Sequence, residues 1–112
     1  MDAYPYSIEY YLTLSGGKPF KEWLDGLDAV TRAKIRIRLD RVRLGNLGRV
    51  RHVGEGVHEF KIDYGPGYRV YYGSSGRRVV LLLLGGDKAS QKKDVLRAKT
   101  YWEDFKKRGR ND

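Results

Sequence analysis

The longest apolar run in this chain, VVLLLL at residues 79–84, ends abruptly at Gly85 and Gly86, and the polar segment DKASQKKD follows. A strand with one face in water alternates apolar and polar residues, so this unbroken run predicts a central strand that is buried on both faces. The run is far shorter than the ~20 residues that a membrane-spanning helix needs. We expect the paired glycines to let the backbone turn sharply out of the core.

Three further segments have the composition of strands. Residues 6–13 and 57–64 are rich in aromatic and β-branched side chains, and residues 68–73 follow the turn GPG. A second turn, SSG, leads into the apolar strand at residues 77–84, so the three later strands predict an antiparallel meander. The inward-facing side chains expected in the first of these three strands are Val57, Phe60, Ile62 and Tyr64.

Three segments predict helices. Pro19 suits the first turn of a short helix that ends at Gly26, and Asp28 is a suitable N-cap for a longer helix. Ser90 is expected to cap a last helix that runs to about residue 107. The predicted order is β-α-α-β-β-β-α, an α+β fold in which the helices cover one face of a four-stranded antiparallel sheet. We expect one domain over residues 1–108 and a frayed tail at residues 109–112.

The second helical segment, residues 29–44, also alternates apolar residues with arginines in the manner of a strand. Its length and its caps favour a helix. As a helix it carries two apolar stripes, so we expect it to lie between the sheet and the first helix. One stripe is Val30, Ala33, Ile37 and Leu44, and the other is Ile35, Leu39 and Val42.

Composition narrows the possible functions. The chain has 23 Lys and Arg residues against 14 Asp and Glu, a formal net charge of +9 that favours a polyanionic partner. It has no cysteine, which excludes disulfides and thiolate sites and is compatible with the cytoplasm. The N-terminal sequence MDAYPYSIEYY lacks the pattern of a signal peptide. Without a histidine pair at metal-ligand spacing or a phosphate-binding loop, we expect no metal and no cofactor.

A group of charged residues is expected on one face of the predicted sheet. Glu59 and Lys61 share a face of one strand, Arg69 and Tyr71 share a face of the next, and Lys88 follows the last strand. Such a surface could hold an RNA phosphate, with the carboxylate as a base for a neighbouring 2′-hydroxyl and cations opposite the developing charge. Ordinary cross-strand ion pairs would give the same pattern.

The segments GVHEFKIDYGPGYRVYY and VVLLLLGGDKASQKKDVLRAKTYWEDF, with FKEWLDGLD and GNLG before them, resemble the RelE/ParE superfamily of type II toxin–antitoxin toxins. More narrowly, they are similar to HigB-like addiction-module killer proteins, and the resemblance covers nearly the whole chain. It implies a RelE-like toxin that a cognate antitoxin, of helix-turn-helix type, holds inactive. It also implies cleavage of mRNA in the ribosomal A site without a metal, through a 2′,3′-cyclic phosphate, and contact with operator DNA through the antitoxin complex.

The resemblance assigns roles to residues. Arg69 matches the arginine that contacts the scissile phosphate, Lys61 and Lys88 match basic or polar positions around it, and Glu59 is expected to act as general base. Where such enzymes place a tyrosine or histidine after the last strand, this chain reads DKASQKKDV. The remaining residues expected to contact RNA are Arg49, Arg51, Tyr71, Gln91, Lys92 and Lys93.

Two alternatives share the fold. One is a ParE-like inhibitor of DNA gyrase that acts by binding without catalysis. The other is an inactive member that acts only in antitoxin and operator complexes. In each case we expect an antitoxin to bind the basic face of the sheet or to displace the last helix by charge complementarity.

Overall fold

A computed structural model describes residues 4–109 of the chain. These residues form five strands and three helices, in the order β1 (Ser7–Tyr10), α1 (Pro19–Asp25), α2 (Ala29–Arg43), β2 (Val50–Gly54), β3 (Val57–Ile62), β4 (Tyr68–Ser75), β5 (Val79–Asp87) and α3 (Gln91–Gly109). Of the predicted tail, residues 110–112 lie outside the described residues, and residue 109 ends α3. None of the helices within residues 4–109 combines the length and apolarity of a membrane-spanning segment.

The sheet has five strands in the order β1-β5-β4-β3-β2, and β1 runs parallel to β5 while the other pairs are antiparallel. The α+β class is confirmed, but the prediction of four antiparallel strands is wrong. The unpredicted strand β2 is an edge strand with mostly exposed side chains, and backbone pairing with β3 holds it in place. Its sequence therefore lacks the apolar alternation that identifies a strand. β5 lies between two strands, as its apolar run predicted.

Helices cover both faces of the sheet, which corrects the prediction that they cover one. The helices α1 and α2 pack on one face, where Phe20 and Ile35 meet Phe60 of β3. The helix α3 packs on the other face, where Ala98 and Trp102 join the core. An unbroken apolar strand requires cover on both sides, and β5 receives it from α1 and α3.

The helix α2 buries one of its two predicted apolar stripes. Ile35, Leu39 and Val42 are buried against the sheet, whereas Val30 and Ile37 are more than half exposed. The expectation that α2 lies between the sheet and α1 is therefore wrong. The seven-residue helix α1 packs beside α2 on the sheet and does not cover its outer face.

Gly85 and Gly86 lie inside β5 and do not form the predicted turn. Their role is close packing on the two faces of the sheet. A Cβ atom on Gly85 would lie 2.1 Å from Cε3 of Trp23 in α1, and one on Gly86 would lie 1.9 Å from Oδ2 of Asp94 in α3. The missing side chains thus allow a helix to approach each face at the end of β5.

A histidine pair between the edge strand β2 and its neighbour β3 should make the stability of the protein depend on pH. His52 lies opposite His58, with the two Nδ1 atoms 2.7 Å apart. Partial burial lowers the pKa of His58 from its ordinary 6.5, and the neighbouring His52 lowers this pKa to a smaller extent. The unfolded chain therefore binds the proton more readily, and the stabilisation present above pH 6.5 is lost as the pH falls through the folded-state pKa.

We expect the free energy of unfolding to fall between about pH 7.5 and about pH 5.5, and to fall less in His58→Gln. Urea denaturation at the two pH values measures the difference. An equal decline in both proteins would show that other groups cause the pH dependence.

Candidate functional site

A cleft of about 580 Å³ lies on the α3 side of the sheet, next to the first residue of that helix. We call it the strand cleft. The odd-numbered residues of β3 and β4 face it because side chains alternate along a strand. Positive side chains outnumber negative ones along its walls. The lining residues are Arg49, Arg51, Glu59, Lys61, Asp63, Arg69 and Gln91.

Strand register brings the charged residues of the cleft together. Lys61 of β3 pairs with Arg69 of β4, and Glu59 pairs with Arg51 of β2 on one side and with Tyr71 of β4 on the other. Directly opposed residues on neighbouring strands have Cβ atoms ~5 Å apart. One carboxylate and three cationic side chains therefore share one small area of the sheet.

Arg69 is buried, with 7% of its surface exposed, and its guanidinium is held in one orientation. Its Nη1 donates to the carbonyl oxygen of Gly67 at 2.8 Å, in the turn before β4. Its Nε is buried and has no hydrogen-bond partner in the described residues. A buried N–H without an acceptor costs ~1–3 kcal/mol, so the position of this arginine is held at a cost in stability.

Glu59 is also buried, with 5% of its surface exposed. Its Oε2 accepts a hydrogen bond from Nε2 of Gln91 at 3.1 Å, so the start of α3 fixes the carboxylate. Nε of Arg51 lies 3.9 Å from its Oε1, a distance at which the guanidinium attracts the carboxylate without a hydrogen bond. The carboxylate is thus oriented and close to a positive charge.

Tyr71 lies beneath the cleft and not in it. Its ring is fully buried and its hydroxyl has no hydrogen-bond partner among residues 4–109. Burial raises the pKa of this hydroxyl, and the negative charges of Glu59 and Asp94 raise this pKa to a smaller extent. The burial makes the ring unavailable for stacking on a base, so Tyr71 serves packing between the sheet and α3.

The other predicted site residues lie around the cleft. Lys61 is half-exposed, and its Nζ lies 3.2 Å from Oδ1 of Asp63. Lys88 is exposed in the connection between β5 and α3, and its side chain does not line the cleft. Lys92 and Lys93 are exposed in the first turn of α3. The structure therefore brings six of the predicted residues together, namely Arg49, Arg51, Glu59, Lys61, Arg69 and Gln91.

Sequence reasoning missed two residues of the site, Asp63 and Gly67. Gly67 has a φ of +82°, and a Cβ atom there would lie 3.4 Å from Cε of Lys61 and 3.5 Å from Nη1 of Arg69. Glycine is the residue that adopts this conformation without strain. The signal was present in the GPG turn immediately before Arg69.

A second cleft, of about 630 Å³, lies at the C-terminal end of β5 between residues of α1 and α3. Its charged lining residues are Glu22, Asp87, Asp94 and Arg97, so carboxylates predominate. A phosphate would be repelled there. The strand cleft is the better candidate for a polyanion.

Comparison with known proteins places the strand cleft inside a matched region. Residues 22–107 match a family model described as phage derived protein Gp49-like (DUF891). A Haemophilus influenzae protein of uncharacterised function is 43% identical over 81 residues, which are 71% of this chain and 82% of that protein. All seven lining residues of the cleft fall within the residues that the family model matches.

Proposed function

Because the chain belongs to the Gp49-like family of phage-derived proteins, a toxin-like family of RelE/HigB type, we propose that it is the toxin of a type II toxin–antitoxin module. We further propose that it is a cytoplasmic mRNA endoribonuclease that acts on the translating ribosome. The observation that supports this activity is a buried arginine with an unpaired Nε next to a buried, oriented carboxylate on a basic surface.

The phosphate is assigned to Arg69 and Lys61. The guanidinium of Arg69, which lines the cleft, can donate to the non-bridging oxygens, and Lys61 lies opposite on β3. Both charges are in place before the substrate arrives, so they stabilise the extra negative charge of the transition state with little rearrangement. Arg49, Arg51, Lys92 and Lys93 are assigned to neighbouring backbone phosphates.

We assign to Glu59 the role of general base, which accepts the proton of the attacking nucleophile. The carboxylate takes the proton from the 2′-hydroxyl, the 2′-oxygen bonds to phosphorus, and the bond from phosphorus to the 5′-oxygen breaks. The products are a 2′,3′-cyclic phosphate and a 5′-hydroxyl. No histidine or tyrosine is among the described residues that line the cleft, so the departing oxygen is assigned a proton from water. Lys88, outside the cleft, contributes through its charge.

The same lack of an aromatic or imidazole group in the cleft supports a second candidate, a gyrase inhibitor that acts by binding alone. A further alternative that also lacks catalysis is an inactive member of the family that acts only in complexes with its antitoxin. A binding protein needs the basic surface but not the oriented carboxylate. A substitution of Glu59 should therefore abolish the ribonuclease activity but not inhibition by binding.

The test is expression of the chain without an antitoxin, followed by mapping of mRNA 5′ ends on translating ribosomes. We expect cuts at fixed positions within codons, 5′-hydroxyl products, and loss of cutting in Glu59→Gln. Growth arrest without cuts, together with relaxed or broken DNA, would instead establish the gyrase inhibitor. Arrest by the wild-type chain is expected to be reversed by a helix-turn-helix antitoxin expressed with it.

A further inference from the structure

The outer face of α2 carries an exposed apolar stripe. Val30, Ile37 and Leu44 are 58%, 55% and 60% exposed. Their spacing of seven residues places them in one line along the helix, and at 1.5 Å per residue the line is ~21 Å long. Single exposed apolar residues are ordinary, but three in register form a seam of the kind that pairs with another helix. We call this seam the α2 stripe.

Positive charges flank the α2 stripe on the side that faces the end of β3. On a helical projection Lys34, Arg38 and Arg41 lie on that side, whereas Asp40 lies next to the stripe on the other side and Arg36 and Arg43 lie beyond it. Asp40 is the one carboxylate of α2, and its Oδ1 accepts a hydrogen bond from Nη1 of Arg43 at 2.6 Å. The face is therefore an apolar line with one basic edge, and on its other edge the single carboxylate is paired with an arginine.

A groove of about 480 Å³ connects the α2 stripe with the strand cleft. One wall belongs to α2 and includes Ile37 of the stripe. The other wall is formed by the end of β3 and the residues after it, Ile62 and Tyr64 among them. It includes Lys61 and Asp63, which also line the strand cleft and whose Nζ and Oδ1 atoms lie 3.2 Å apart, so an acidic ligand would compete with Asp63 for Lys61. Nζ of Lys34 lies 4.8 Å from the ring centroid of Tyr64 across this groove. A chain that leaves the stripe along the groove would arrive at Lys61.

We propose that the α2 stripe is the docking surface of an acidic amphipathic helix from a protein partner, and that an acidic segment following this helix occupies the groove and pairs with Lys61. The identity of this partner rests on the proposed function: it is the antitoxin, and it blocks the strand cleft from the side. An apolar seam with a basic edge along the groove is complementary to a helix with a leucine stripe and glutamates on the facing edge.

Other occupants fit the stripe less well. A second copy of the chain would bring two basic surfaces together, since the net charge is +9. RNA would use the basic edge but would leave the three apolar side chains against phosphates and sugars. The inference also differs from the displacement of α3 expected from the sequence. Ala98 and Trp102 of α3 are buried in the core, whereas the α2 stripe is uncovered in the described structure.

The test uses a designed helical peptide as the probe. In each seven-residue (heptad) repeat, the peptide has leucine at the first and fourth positions and glutamate at the positions that flank them. Fluorescence anisotropy measures its binding to the wild-type chain, to Ile37→Glu and to Leu96→Glu. Leu96 is the matched control, because it is an exposed leucine on α3, 67% exposed, and receives the same charge change. Thermal melts verify that both variants are folded.

We expect Ile37→Glu to weaken peptide binding at least ~tenfold and Leu96→Glu to change it less than about threefold. A scrambled peptide of the same composition should bind the wild-type chain at least ~tenfold more weakly than the designed one. Equal binding by the two variants, or no binding of the designed peptide to the wild-type chain, would overturn the proposal. A loss of affinity in Ile37→Glu for single-stranded RNA and not for the peptide would assign the surface to RNA.

A competition measurement tests the link to Lys61. An uncleavable 2′-O-methyl RNA is bound to the chain, and peptides with and without an acidic extension at the groove end are added. We expect displacement of the RNA by the extended peptide only. Displacement by both or by neither would refute the part of the proposal that concerns the groove. None of these measurements involves cleavage, so their failure is distinct from failure of the ribonuclease.

Discussion

Replacing Arg69 by alanine is expected to reduce mRNA cleavage on the ribosome by ~10²–10³-fold, because the proposed mechanism assigns its guanidinium to the phosphate on which negative charge develops. The unpaired Nε already carries the cost of desolvation in the free protein. Alanine has neither the positive charge nor an N–H donor for a phosphate. Primer extension on a defined message in a translating extract measures the cleavage rate.

Arg69→Lys separates charge from geometry. A lysine keeps the positive charge but has neither the planar donor fork nor the bond to the carbonyl of Gly67, so we expect it to remain well below wild type. Arg77→Ala is the matched control, since Arg77 is exposed between β4 and β5 and loses the same charge. Lys88→Ala should have a smaller effect than Arg69→Ala. Full activity in Arg69→Ala would remove the strand cleft as the catalytic site.

Replacing Gly85 by alanine is expected to lower the free energy of unfolding by about 3 kcal/mol or more, because the new methyl group has no space. It would lie 2.1 Å from Cε3 and 2.3 Å from Cζ3 of Trp23, whose ring packs against the core through Phe20. Either α1 moves away from the sheet or the strand is displaced. Urea denaturation, with the midpoint compared at an unchanged slope, measures the loss.

Two comparisons identify the cause of that loss. Gly109→Ala is the control, since a Cβ atom there meets nothing within 4 Å, and we expect almost no change in stability. A smaller side chain at Trp23 should relieve the contact, so Trp23→Leu combined with Gly85→Ala should be more stable than the sum of the single losses. Strictly additive losses would show that the methyl group and the indole do not compete for the same space.

Local patterns predicted the elements of this fold well. The helix α1 begins at Pro19 as expected, and the side chain of Asp28 accepts a hydrogen bond from the backbone N–H of Thr31 at the start of α2. Both signals act within one turn of the chain, so they can be read without knowledge of the fold. The apolar run of β5 likewise predicted its burial on both faces.

Pairings between distant segments could not be predicted in the same way. β2 was missed because its partner, β3, supplies the hydrogen bonds that define it, and an exposed edge strand needs no apolar alternation. The parallel pairing of β1 with β5 joins residues far apart in sequence, such as Ser7 and Val79. Register between such segments depends on side-chain packing across the whole sheet.

The candidate site shows the same division. Periodicity alone placed Glu59 and Lys61 on one face of a strand and Arg69 on a face of the next, and the resemblance assigned Arg69 to the scissile phosphate. The structure added what holds them, namely the amide of Gln91 on Glu59 and the carbonyl of Gly67 on Arg69. It also showed that the side chain of Lys88 does not line the strand cleft.

By itself the sequence determined the charge of this protein, the position of its helices and most of its strands, and the composition of one basic strand face, because each depends on residues that are neighbours along the chain. Only the tertiary structure decided what the double glycine is for. Trp23 and Asp94 approach Gly85 and Gly86 from opposite faces of β5, and neither approach is visible along the chain. The apolar run therefore ends where two helices need space against the strand, since close packing between distant segments is set by the shape of the folded core.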